Sequence, residues 1–211
     1  MTSYIVLADG KLDRPCNQLG MARKPEYTAA SCRHVTPTPH QETHMATVTL
    51  KGNPVHTVGD LPVVGKPAPS LGLTSSDLNT FKLTDAKGKW VVLNIFPSID
   101  TSTCATSVRR FNQEAAKKNN TEVLCISMDL PFAQTRFCGA EGIQNVKTLS
   151  CFRAPAFGRD YGVLITDSPL SGLLARAVVV IDPAGIVRHV ELVGEIAHEP
   201  DYAAALAEIP A

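Results

Sequence analysis

The sequence predicts an α/β fold with an N-terminal β-hairpin, on three observations. Apolar runs at residues 90–96, 122–128 and 175–181 are nearly continuous, the pattern of strands buried on both faces. Between the first two, Cys104, Val108, Phe111 and Ala115 are separated by four, three and four residues, which places them on one helical stripe. A late turn, Asp182-Pro183-Ala184-Gly185, folds the third run back into a strand over residues 186–192.

The elements follow in order. Thr47-Val48-Thr49-Leu50-Lys51 alternates with period two, and the turn residues Gly52-Asn53-Pro54 lead into a second short strand over residues 55–58. The strand at 90–96 passes into a helix over residues 102–118, and the strand at 122–128 into a short helix over residues 131–139, proline at its start and glycine at its end. After the 175–181 strand and its hairpin partner, an alanine-rich helix over residues 200–209 closes the chain. Strand, helix, strand, helix, then a hairpin and a final helix describe a thioredoxin-like α/β layer.

Residues 1–44 differ: they mix Pro, Thr, His and isolated charges without periodicity and read as a disordered or weakly ordered extension, with residues 45–211 as the folded domain and Met45 as a natural start. Lys plus Arg and Asp plus Glu number 20 each, so no long-range field draws the protein to nucleic acid or to a membrane surface. No apolar run approaches the roughly 18 to 20 residues that cross a bilayer. The apolar patch Tyr4-Ile5-Val6-Leu7-Ala8 is too short for a secretory signal, so a cytoplasmic location is expected. Six irregularly spaced cysteines without an export signal are expected to be individual thiols rather than a disulfide framework. Cys104, Cys125, Cys138 and Cys151 form no CxxC pair, against a zinc ribbon or a dithiol redox motif. Cys16, Cys32, His34, His40 and His44 lack a ligand spacing, and no metal is expected.

Cys104 falls where a strand ends and a helix begins. If Thr101 or a neighbouring hydroxyl caps that helix, Cys104 lies in its first turn, where unpaired N–H groups and the positive dipole end favour a thiolate. An ordinary thiol of pKa about 8.5 is about 3% ionised at pH 7, whereas one lowered to about 6.5 is about three-quarters thiolate. That difference separates a reactive cysteine from a packed one. Arg109 and Arg110 point roughly 140° and 120° away from Cys104 around the helix, so a partnering guanidinium must come from elsewhere. Arg176 is the lone charge at the start of the most apolar run.

Pro97, Thr101 and Cys104 fit PxxxTxxC, which resembles the peroxidatic motif of peroxiredoxins. The segment Asp129-Leu130-Pro131-Phe132-Ala133-Gln134, continuing to Arg136-Phe137-Cys138-Gly139-Ala140-Glu141-Gly142, is similar to the resolving-cysteine segment of bacterial thiol peroxidases. Residues 175–182 are similar to their arginine-bearing strand, and the likeness covers residues 45–211. It implies an atypical two-cysteine peroxiredoxin of thioredoxin-like fold. Cys104 then attacks the peroxide, Thr101 and Arg176 orient thiolate and peroxide, Pro97 shields the pocket, and Cys138 closes an intramolecular disulfide. The implied substrates are hydrogen peroxide and organic hydroperoxides, the reductant thioredoxin, the assembly a homodimer, and no cofactor is required. Ser102-Thr103 departs from the proline and apolar residue that many relatives carry there, which alters the first turn but removes no reacting group. A sulfenic acid at Cys104 condenses with a second thiol unless oxidised further, and closing that disulfide requires local unwinding if the two helices hold their thiols apart. Cys125 reads as a core thiol, and Cys151 has no assigned partner. The alternatives are a redox sensor or holdase switched by the same disulfide, and a disulfide oxidoreductase, against which the lack of CxxC speaks.

Overall fold

The computed structural model describes residues 45–115 and 117–210; the extension expected over residues 1–44, with Cys16 and Cys32 and its histidines, lies outside the described residues. A two-stranded ribbon opens the described chain, β1 (Thr47–Leu50) paired antiparallel with β2 (Asn53–His56). Its turn sits at Lys51 and Gly52, with φ of 52° and 79°, the left-handed pair that a two-residue hairpin demands. The expected turn at Gly52-Asn53-Pro54 is thus displaced towards the N-terminus, and Pro54 lies in the strand opposite Thr49. A ribbon of two strands leaves one edge unpaired, so a residue without an N–H fits there.

The remaining strands form one mixed sheet. They are β3 (Gly72–Thr74), β4 (Thr80–Lys82), β5 (Trp90–Ile95), β6 (Thr121–Ser127), β7 (Val146–Ser150), β8 (Ala177–Ile181) and β9 (Val187–Leu192). Their spatial order is β4-β3-β7-β6-β5-β8-β9. The central β5, β6 and β7 are parallel, while β8 runs antiparallel to β5 with Ile95 opposite Ala177 and Val91 opposite Ile181. Among the described residues four α-helices pack on it: α1 (Ser102–Ala115), α2 (Pro131–Glu141), α3 (Ala156–Asp160) and α4 (Tyr202–Ala207).

Strand periodicity divides the interior in two. Val91, Leu93 and Ile95 join Leu124, Ile126, Leu149 and Val179 on one face, packed against Phe157 of α3 and Tyr161. Val92 and Phe96 join Val123, Cys125, Val178 and Val180 on the other, beneath Cys104, Val108 and Phe111 of α1 and Ala205 and Leu206 of α4. The α/β layer with an N-terminal hairpin is borne out. Several ends differ from expectation: β2 is Asn53–His56 and β8 starts at Ala177, α2 runs through Gly139 to Glu141 and stops at Gly142, whose φ of 64° supplies the left-handed cap, and α4 starts at Tyr202, where Asp201 caps it through the Ala204 N–H, and ends at Ala207. Among the described residues no helix is long and apolar enough to cross a membrane.

Candidate active site

Parallel pairing of β5 with β6 brings α1 and α2 off the same end of the sheet, so Cys104 and Cys138 start from neighbouring strands. The antiparallel β8 begins at that end too. Arg176, the residue before Ala177, therefore lies beside the segment that carries Cys104. No local sequence signal dictates this meeting of residues 72 apart; it follows from strand register.

Arg176 is 1% exposed and Cys104 is 0% exposed. Arg176 Nη2 donates to Cys104 Sγ at 3.3 Å, and its Nε donates to the Ile196 carbonyl at 3.0 Å. The second bond fixes the plane of the guanidinium, because Nε and Nη2 belong to one rigid fork. Nη1 is buried without a partner. A buried cationic N–H without a protein partner is costly and can serve an acceptor. In this conformation the sulfur is closed to solvent, so an oxidant reaches it only when the covering side chains move.

Asp129, just past β6, holds the segment before α1. Its carboxylate accepts from Ser98 Oγ (2.8 Å), the Ile99 N–H (2.7 Å) and Ser127 Oγ (2.7 Å). Gln134 of α2 extends the network, donating to Ser127 Oγ at 3.0 Å and to the Leu149 carbonyl at 3.1 Å. Pro97 is buried two residues past the end of β5. Thr101 is exposed; its hydroxyl donates back to the Ser98 carbonyl at 3.1 Å, while its own carbonyl accepts the Ala105 N–H that opens α1. Thr103, at the position of departure, donates its hydroxyl to the Ala197 carbonyl at 3.0 Å. Cys104 lies two residues after Ser102, inside the first turn of α1. Arg109 forms a two-point pair with Glu141 (2.8 and 2.9 Å), and the Arg110 guanidinium lies over the Tyr202 ring, so neither serves Cys104.

Cys138 is half-buried, packed against the α1 side of the core and lining a cleft of about 410 Å³ with Thr135, Ile143, Phe81 and Thr148. Burial raises its thiol pKa, partly offset by the Thr148 hydroxyl. Cys104 and Cys138 are both free thiols. A second cleft, about 420 Å³, lies at the opposite end of β5 and β8, against Val91 and Ile181, and contains no cysteine. Among the described residues no group of three His, Cys, Asp or Glu is placed to hold a metal.

The redoxin family model matches residues 63–206, a span that contains both cysteines and Arg176. The chain belongs to the redoxin family. The chain is 58% identical over 167 residues to the thiol peroxidase of Mycobacterium tuberculosis, covering 79% of this chain and 100% of that protein. It is 52% identical over 165 residues to the thiol peroxidase of Corynebacterium glutamicum, covering 78% and 99%. Among solved structures, a peroxiredoxin-like protein from Aquifex aeolicus superposes with a TM-score of 0.73 at 44% identity, covering 78% of this chain and 96% of that one. The expected likeness to bacterial thiol peroxidases is borne out.

In this redoxin, sequence reasoning missed the groups that position the site. The Ile196 carbonyl is a backbone atom, and no residue type announces it. Asp129 lies inside a quoted motif, yet nothing in the sequence says that its carboxylate reaches back 30 residues to Ile99.

Proposed function

We propose that this chain reduces hydroperoxides through Cys104 and resolves the product through Cys138. The observation that carries the reading is the buried Arg176 guanidinium donating to the Cys104 sulfur at 3.3 Å while Nη1 stays open. A thiolate held there attacks the distal peroxide oxygen. The O–O bond breaks, sulfur gains an oxygen as sulfenic acid, and the alkoxide or hydroxide leaves and takes a proton. The two cationic N–H groups stabilise charge on sulfur at the start and on the departing oxygen at the end. Thr101 takes part once its hydroxyl leaves the Ser98 carbonyl and turns to the bound peroxide. Pro97 keeps water from the sulfur.

Cys138 then attacks the sulfenic sulfur, releasing water and forming the intramolecular disulfide. Its raised pKa keeps it chiefly as thiol near neutrality, and where the two helices hold their sulfurs further apart than a disulfide spans, one or both unwind locally to close it. A dithiol protein of the thioredoxin type reduces the disulfide, entering at the cleft beside Cys138. A homodimeric assembly and a cytoplasmic location belong to the same proposal by resemblance, as does the assignment of the whole activity to residues 45–211. The 167 residues aligned to a complete mycobacterial relative equal the number from Met45 to Ala211, which supports that boundary.

Intact mass after one equivalent of peroxide, with peptide mapping, tests the reading: a loss of two hydrogens and a Cys104–Cys138 peptide are expected. With thioredoxin and its reductase, Cys104→Ser is expected to abolish steady peroxide consumption. Stoichiometric oxidation without turnover, followed by tight partner capture, would favour a sensor instead.

A further inference from the structure

Arg176 is aimed by a backbone carbonyl, and that carbonyl belongs to a loop held from outside the site. The Ile196 N–H donates to the Thr49 carbonyl at 2.8 Å, so β1 holds the residue whose carbonyl receives Arg176. The Thr49 N–H donates to the Gly194 carbonyl at 2.7 Å. The next peptide carries Thr103 of α1, whose hydroxyl donates to the Ala197 carbonyl at 3.0 Å. One short loop therefore touches Arg176, the first turn of α1 and the N-terminal ribbon.

Glu195 sits at its centre. Its Oε1 accepts the Lys51 N–H and the Ala197 N–H, each at 3.1 Å. Its Oε2 accepts the Gly52 N–H at 3.1 Å and Thr49 Oγ1 at 2.8 Å. The left-handed turn at Lys51 and Gly52 is what points two successive N–H groups at one carboxylate. Resting on the peroxidatic site proposed above, we infer that Glu195 is a positioning residue for that reaction: it locks the β1–β2 ribbon onto residues 194–197 and so holds the Ile196 carbonyl that orients Arg176 towards Cys104. The ribbon, remote from the reacting sulfur in sequence, is then a working part of the site.

The chemistry at Glu195 makes the substitution informative. All four partners are donors, three of them backbone N–H groups that cannot reverse. A glutamine keeps the shape but turns its NH₂ against at least one of those N–H groups in either orientation. Glu195→Gln therefore disturbs the loop without opening a cavity.

The test measures the second-order rate of reduced protein with hydrogen peroxide, in wild type, Glu195→Gln, Arg176→Lys and the double variant. Lysine keeps the charge of Arg176 but lacks the rigid fork that reaches sulfur and carbonyl together. Glu195→Gln alone is expected to slow the peroxide step about tenfold or more. In the Arg176→Lys background it is expected to add less than about twofold, because the two act through one contact. Reduction of the preformed disulfide by dithiothreitol, which does not use the Arg176–Cys104 contact, is expected to stay within about twofold of wild type in Glu195→Gln. Thr49→Val, which removes one hydroxyl, provides a milder variant in which the peroxide step slows while disulfide reduction does not. A wild-type peroxide rate in Glu195→Gln, or the same loss with and without the arginine fork, overturns the role of Glu195. A wild-type rate in Arg176→Lys overturns the site reading itself, and the inference with it.

Discussion

Burial alone does not sort the cysteines at the residue scale: Cys104, Cys125 and Cys151 are all 0% exposed, and it is the Arg176 Nη2–H donated to its sulfur that sets Cys104 apart. Cys125 and Cys151 are both pushed up to about 12 by burial, which leaves them as core thiols. Cys125→Ala is expected to leave the peroxide rate within about twofold while lowering stability by about 1–2 kcal/mol, read from urea unfolding. Cys138 is raised by the same cause but borders a cleft. Because its thiolate fraction climbs with pH, disulfide closure after a peroxide pulse is expected to accelerate from pH 7 to 9. Quenched-flow mass spectrometry reads this, and a flat profile would mean that helix opening sets the rate. Glu195 has the opposite sign. The N–H groups of Gly52 and Ala197, with lesser help from Thr49 and Lys51, hold its carboxyl near 2, against an ordinary 4.5. A depressed folded value gives stability that is complete above 4.5 and is lost as pH falls towards 2. The Tm difference between wild type and Glu195→Gln is therefore expected to be larger at pH 6 than at pH 3.

At the scale of elements, polar contacts tie α1 and the segment before it to α2 and the segment after it. Arg109 of α1 grips Glu141 of α2 at 2.8 Å, Arg136 of α2 reaches Asp100 at 3.0 Å, and Asn112 of α1 accepts the N–H groups of Gln144 and Asn145. Glu141→Ala releases the far end of α2 without touching either sulfur. Its disulfide closure is expected to be a few-fold faster, with less sulfinic acid formed under excess peroxide. Asp129 acts at the other end, where β6 hands over to α2. Asp129→Ala orphans the Ile99 N–H and two hydroxyls, and is expected to lower stability by about 2–4 kcal/mol and slow the peroxide step. Asp129→Asn restores most of both, since one amide oxygen serves Ile99 and the hydroxyls can reverse. The helices themselves were legible as a stripe and as a proline start. What was not legible is the end of α2: Gly139 and Gly142 are both glycines, and only backbone conformation, φ 64° at Gly142, chooses between them.

At the largest scale, the described residues are organised by a sheet whose central strands are covered on both faces, with Leu93, Leu124 and Val179 all 0% exposed. Leu93→Ala is expected to lower stability by about 2–5 kcal/mol in urea unfolding without changing which residues react. Gly162 marks a different constraint: with φ of 68°, a Cβ there would lie 2.0 Å from the Asp60 carbonyl oxygen. Backbone meets backbone, so Gly162→Ala is expected to cost more than about 2 kcal/mol. The alternation of buried runs and helical stripes was readable in the chain because period and apolarity are local properties. So was the position of Cys104 at a helix start, since a strand end and a helix start adjoin it in sequence. Short β3 and β4 escaped notice, three residues being too few for a period to declare itself. Which strands pair is a long-range matter, settled by the fit of side chains across the two cores. Amino-acid order by itself determined the α/β class, the two hairpins and the place of the Cys104 sulfur at a strand-to-helix junction. Only the folded sheet decided that Arg176 points inward at that sulfur, that the Ile196 carbonyl steers it and that Glu195 braces them both, because register between distant strands, rather than any run of neighbours, sets those distances.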